Sequence, residues 1–237
     1  MWLLLFDIDG TLLRLRREPV RRALQEALQL TLRCPIPTEC LHDLAGKTDL
    51  QIFAEVAHRC GWSEPLILRQ MPFFVRAYTW LHRRWVTPRD VYLLPGVQAL
   101  LPALQTLPTT VLGVLTGNLK SVALWKLRQV GIAGFFQVGA FGSDHWERTQ
   151  LVRIAWERAW GAGIAVEPRR TVLIGDSPRD VLCARAWGLS CIAVSAGPVE
   201  AEALRAYGAI TVLPNFLDIG GFWRALHELY AQANHSY

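Results

Sequence analysis

Lysine is almost missing from this chain of 237 residues. Lys47, Lys120 and Lys126 are the only three, so the basic side of a formal net charge of +5 is nearly all arginine. Those arginines are scattered, and no basic stripe with interleaved aromatics or nucleic-acid motif accompanies them, which argues against a nucleic-acid partner. The densest run, RLRREPVRR (Arg14 to Arg22), reads as the solvated start of a helix, with contact to an anionic partner as the alternative. Cysteine is also sparse. Five residues at 34, 40, 60, 183 and 191 form no CxxC and no Cys/His ligand spacing. They read as reduced, mostly buried thiols of a cytoplasmic protein. No apolar run approaches the ~20 residues of a membrane span. The apolar start has no basic flank and is interrupted by acids, so it does not read as a signal peptide. Repeats and low-complexity segments are absent as well.

What is present is a large apolar fraction, 51%, enough for a real core. Apolar bursts of strand length occur at 2–6, 110–115, 171–175, 191–195 and 209–213. Near-continuous runs of this kind suit parallel strands covered on both faces. Helix-period stretches follow them at 119–130, 147–160, 178–187, 199–206 and 215–231. The alternation predicts an α/β fold: a doubly wound, Rossmann-like, mostly parallel sheet that binds ligands at the carboxyl ends of its strands. The interval 14–92 breaks the pattern with helical stretches at 18–33, 48–60 and 64–85 and no convincing strand. The expected organisation is a core of 1–13 and 93–237 with a helical cap, 14–92, inserted after the first strand.

Four stretches carry useful chemistry. In LLLFDIDGTLL, Asp7 and Asp9 stand two apart and face the same way on a strand, while Gly10 permits a sharp turn. Two carboxylates in an apolar run repel unless a cation separates them or one keeps its proton. VLTGN presents Thr116, the free backbone of Gly117 and Asn118 at a helix mouth, suited to phosphate oxygens. GDSPRD places Asp176 past a strand and Asp180 one helical turn on. GSDHWERTQ puts Arg148 near a helix start. Taken singly, the pair of acids reads as a surface pair, TGN as a turn, Asp176 as a helix cap and Arg148 as a solvated face. Four such signals at the same end of one sheet point instead to a site. Its oxygen-only acids favour a hard cation, Mg²⁺ beside a phosphate.

These motifs resemble the haloacid dehalogenase superfamily, in its phosphoglycolate phosphatase-like branch with a helical cap. DIDGTL is similar to the family's first motif, LTGN to the second and GDSPRD to the fourth. The resemblance implies a Mg²⁺-dependent phosphatase that hydrolyses a small phosphorylated metabolite, with no membrane or nucleic-acid partner. It implies Asp7 as nucleophile, Asp9 as general acid and base, and Thr116 and Gly117, with Asn118, as phosphoryl holders. The metal would be held by Asp7, the Asp9 backbone carbonyl and Asp176, with Asp180 as supporting acid. The third motif departs from the family's lysine. Lys47 lies in the cap, and Lys120 and Lys126 follow the second motif too closely, so Arg148 is the candidate substitute, with His145 a lesser one. An acid at position 9 favours phosphate over halide chemistry.

In the cap, LAGKTDLQIF offers Lys47 to a substrate anion, although Thr48 or Asp49 also reads as a cap for the following helix. A Schiff-base role for Lys47 has little support. The aromatic run 73–85 reads as the cap's own core, with Arg83 and Arg84 at the surface. Two other readings stay open: a sugar-phosphate mutase sharing the nucleophile, and a phosphoryl-accepting or metabolite-binding regulator. Neither the substrate nor the oligomeric state is legible.

Overall fold

A computed structural model describes residues 1–196 and 199–234. Six strands form one parallel sheet: β1 (Trp2–Phe6), β4 (Thr110–Thr116), β5 (Val138–Phe141), β6 (Thr171–Gly175), β7 (Ser190–Val194) and β8 (Thr211–Leu213). Their order is β5-β4-β1-β6-β7-β8, which places β1 between β4 and β6. The period of two sorts the side chains to opposite faces. Leu4, Phe6, Leu112, Val114, Val172 and Ile174 pack with helices α4 (Val97–Gln105) and α9 (Ile219–Asn234) and part of α5 (Lys120–Gln129). Leu3, Leu5, Val111, Leu115 and Leu173 pack beneath α6 (Gln150–Gly161), α7 (Pro178–Ala186) and α8 (Ala201–Tyr207). Both faces are covered, which is why the strands read as unbroken apolar runs. The doubly wound α/β reading therefore holds.

Two short strands differ from the sequence reading. β2 (Leu13–Leu15) pairs antiparallel with β3 (Val91–Leu93), joining Leu13 to Leu93 and Leu15 to Val91. This ribbon spans both ends of the interval in which no strand was expected. Each of its strands has three residues, too few for a local pattern to declare them; long-range pairing makes them strands. β5 was not anticipated either, since four residues that include Gly139 give no apolar burst.

Between the strands of the ribbon the chain forms α1 (Arg17–Leu32), α2 (Asp49–Arg59) and α3 (Glu64–Trp85). Their apolar faces meet in a separate cluster around Leu24, Leu28, Phe53, Phe74 and Tyr78, into which Leu119 and Val122 of the sheet-bound part project. Phe53 and Phe74 stack with ring centroids 4.7 Å apart. Arg83 and Arg84 are exposed, and much of the aromatic run faces this interior, although Phe73 and Trp80 do not. Among the described residues, no helix is long and apolar enough to cross a membrane.

Phe53 is 0% exposed and Phe73 38% exposed. Phe53→Ala should cost about 3–5 kcal/mol in chemical unfolding, whereas Phe73→Ala should cost under about 1 kcal/mol. Equal losses would contradict the assignment of the buried face.

Candidate active site

The chemistry collects where the strands end. Asp7 follows β1 and still donates its N–H to Ile174 of β6 at 2.8 Å, so its side chain leaves the sheet at a fixed angle. The chain then turns tightly, with the amides of Thr11, Leu12 and Leu13 all directed to the Ile8 carbonyl. Gly10 takes φ +87°, and a Cβ there would stand 2.0 Å from Asp176 Oδ2. Glycine is required because the carboxylate that follows β6 occupies that space. Asp7, Asp176 and Asp180 present one oxygen each within 4.8 Å of one another.

Asp176 does not cap α7; Ser177 does. The Ser177 amide and hydroxyl donate to Asp180 Oδ2 at 3.0 and 2.6 Å, a reciprocal box that fixes the start of the helix. Asp180 Oδ1 is left to ion-pair with Arg148 Nη2, which also stands 3.1 Å from Asp7 Oδ1. Arg148 thus bridges two buried acids from the loop between β5 and α6. Burial opposes its charge, but Asp180 and then Asp7 outweigh that and hold its pKa above the ordinary value. Burial first, then neighbouring negative charge, pushes Asp7 up to about 6 and Asp176 up to about 8. One guanidinium does not balance three converging carboxylates. The all-oxygen donor set fits a hard divalent cation, which would return both acids to their charged form.

A second cation was missed. Lys126 is 2% exposed, and its Nζ donates to Asp9 Oδ2 at 2.6 Å and also to Asn118 Oδ1. Asn118 Nδ2 donates to the same Asp9 oxygen at 2.7 Å and to Thr116 Oγ1 at 3.1 Å. Helical spacing held the missing signal: 122, 123, 126 and 127 form the buried stripe of α5. A lysine on an apolar stripe needs a counter-ion.

The loop before α2 lies directly on these groups. A Cβ on Gly117 would meet the Lys47 carbonyl oxygen at 2.1 Å. The Asp49 amide donates to the Gly117 carbonyl at 2.8 Å, and Leu119 N–H donates to Asp49 Oδ2 at 2.7 Å. Burial pushes Asp49 up to about 7. Thr48 caps α2 by accepting from Gln51 N–H at 3.0 Å, while its hydroxyl donates to the Trp146 carbonyl at 2.6 Å. Arg148 Nη1 reaches the Gly46 carbonyl at 3.4 Å, and Arg179 binds Asp43 and the Ala45 carbonyl. Lys47 Nζ is engaged by Glu55 at 2.7 Å and Asp43 at 3.6 Å, and no ion pair joins it to Asp7 or Asp9. His145 accepts from Glu147 N–H at 3.0 Å within its own loop.

One end of the α/β sheet thus brings acids, buried cations and a threonine together beside the helical unit. Residues 4–194 match the family model for haloacid dehalogenase-like hydrolases. The chain belongs to that family. It is 28% identical over 225 residues to a phosphoglycolate phosphatase of Caulobacter vibrioides, covering 90% of this chain and 87% of that one. Among solved structures, a β-phosphoglucomutase from Clostridium difficile superposes with TM-score 0.69 at 17% identity, over 98% of each chain. A hydrolase from Pseudomonas syringae gives 0.68 at 20% identity, over 92% of this chain and 96% of that one.

The sign of the pH dependence follows from the raised acids. Asp7 and Asp176 hold protons more tightly when folded, so their contribution to metal-free stability is fully present below the ordinary value of 3.8 and is lost as pH rises through about 6 and about 8. A divalent cation should offset this. Mg²⁺ or Ca²⁺ should raise Tm by several degrees near pH ~8 and by much less near pH ~5, and Asp176→Asn should remove the gain. A Tm independent of both pH and cation in differential scanning fluorimetry would contradict the cluster's role.

Proposed function

We propose that this enzyme is a Mg²⁺-dependent phosphatase that hydrolyses a small phosphomonoester through an aspartyl-phosphate on Asp7. The observation carrying this reading is the pairing of each acid of the DxD motif with its own buried cation, Arg148 on Asp7 and Lys126 on Asp9. Asp7 attacks phosphorus, forming the Asp7–phosphorus bond as the bond to the ester oxygen breaks. Asp9 gives its proton to the departing alcohol, then takes one from the water that cleaves the acyl phosphate. Thr116 and the Gly117 amide, with Asn118, hold the phosphoryl oxygens. Asp7, the Asp9 carbonyl and Asp176, with Asp180 in support, would hold Mg²⁺, which would supply charge neutralisation for the transferring group. The helical unit between β2 and β3 serves as the cap that excludes water. The loop lying on Gly117 supports that role and favours compact metabolites over phosphoproteins. Lys47, held by Glu55 in the same loop, is positioned by the cap to meet the substrate's distal anion when released from that pair.

The test is phosphate release from a panel of small phosphomonoesters, phosphoglycolate among them, with and without Mg²⁺. Wild type should release phosphate only with metal, and Asp7→Asn should lose activity by at least ~10³-fold. Well-folded protein that releases no phosphate, or returns an isomerised sugar phosphate, would overturn the phosphatase reading.

Arg148 replaces the lysine that the family's third motif normally carries. Arg148→Ala should lower kcat by at least ~10²-fold, and Arg148→Lys should recover only part of it, because an ammonium lacks the second arm, Nη1, that reaches the Gly46 carbonyl. Normal turnover by Arg148→Ala would remove Arg148 from the site.

A further inference from the structure

A protein with three lysines has buried one of them almost completely beside its second motif acid. Nothing in the fold demands a charge there. The stripe of α5 that carries Lys126 is otherwise apolar, with Val122, Ala123 and Leu127 on the same face. His82 lies near enough to Lys126 to feel its charge, and it meets Trp125 edge-on at 5.2 Å and Tyr78 at 6.0 Å. Both His82 nitrogens lack a hydrogen-bond partner, and burial, then Lys126, pushes its pKa down to about 3, so the ring is neutral. Asp49 is another acid near Lys126, but its carboxylate accepts from the Leu119 amide. The charge of Lys126 is therefore directed to one group, Asp9.

The contact is asymmetric. Asp9 Oδ2 receives Lys126 Nζ at 2.6 Å and Asn118 Nδ2 at 2.7 Å, while Oδ1 is buried with no hydrogen-bond partner. Lys126 and Asn118 are also bonded to each other, so the two donors form a rigid fork on one oxygen. A carboxylate gripped at one oxygen cannot rotate freely about its Cβ–Cγ bond.

We propose that Lys126 is the positioning residue for Asp9: with Asn118 it clamps Oδ2, fixes the rotation of the carboxylate, and sets a positive charge against it. This inference rests on the role given to Asp9 above. In the first half-reaction the proton passes from Asp9 to the ester oxygen as the ester bond breaks. In the second, Asp9 takes a proton from water as the water oxygen bonds to phosphorus and Asp7 departs. Lys126 neither gains nor loses a proton. In this chain the work of a single third-motif cation is divided, Arg148 attending the nucleophile and Lys126 the acid.

The experiment compares wild type, Lys126→Met, Asp9→Asn and the double variant by stopped flow, using p-nitrophenyl phosphate and an alkyl phosphate ester. p-Nitrophenolate leaves without a proton, so attack by Asp7 on that ester does not need Asp9, whereas alkoxide departure and acyl-phosphate hydrolysis do. Lys126→Met should keep a p-nitrophenolate burst within about threefold of the wild-type rate. Its steady-state turnover of both esters should fall by at least ~10-fold, and it should show no burst of alcohol from the alkyl ester. Adding Lys126→Met to Asp9→Asn should cost less than about twofold more, since the two act as a unit. Wild-type rates for Lys126→Met would overturn the inference while leaving the impaired Asp9→Asn and the phosphatase reading intact. Loss of the burst in proportion to turnover, repeated in the Asp9→Asn background, would also overturn it by making Lys126 a structural residue of the whole site. An unimpaired Asp9→Asn would instead overturn the role of Asp9 itself. If Lys126→Met does not fold, Lys126→Gln, which keeps a donor without the charge, is read by the same criteria.

Discussion

Carboxylate repulsion at the end of one sheet is the constraint around which this structure is arranged. Asp7, Asp176 and Asp180 converge within 4.8 Å, and Asp9 stands two residues from Asp7. In a partly dehydrated setting such a cluster is unstable unless cations or protons compensate it. The sequence supplies two cations from different directions. Arg148 enters from the loop after β5 and joins Asp7 to Asp180; Lys126 enters from α5 and reaches Asp9. Their separation matters chemically. A single cation shared by both motif acids would favour the same charge state in each, whereas a nucleophile must stay ionised and a general acid must exchange a proton.

The same loops that hold these charges also hold the cover. Gly117 lies under the Lys47 carbonyl, Asp49 reaches across to Leu119 at the start of α5, and Arg148 touches Gly46 while it engages Asp7. Lys126 and Asn118 belong to the stretch that begins at this contact. The position of the helical unit and the geometry of the acid are thus connected through one short segment, residues 117–126. The contact with the helical unit and the grip on Asp9 are made by different hydrogen bonds of this one segment.

Much of this was legible in the sequence. β1 and β6 were readable to the residue because both faces of the sheet are covered and every position but Thr171 is apolar. Asp7, Thr116 and Asp176 stand at strand ends as the motif spacing implies. Arg148 was findable from its place in the order of motifs, and its Nη2 meets both Asp7 and Asp180. The ribbon of β2 and β3 was not legible, since a three-residue strand exists only through its distant partner. Lys126 was passed over because attention to spacing from the second motif hid its place on the buried stripe of α5. Helical phase, not distance along the chain, determines what a side chain reaches. Asp49 was read as a possible cap for its own helix; instead Thr48 caps α2, and Asp49 bonds the backbone at the start of another.

The account stands or falls on Asp7 becoming covalently phosphorylated. The most direct measurement is an acid quench of the enzyme during turnover with Mg²⁺, followed by borohydride reduction and peptide mass spectrometry. An aspartyl-phosphate reduces to homoserine, and the account predicts homoserine at position 7 and nowhere else. An enzyme that releases phosphate while leaving position 7 as aspartate, or that carries the modification at another acid, would contradict it.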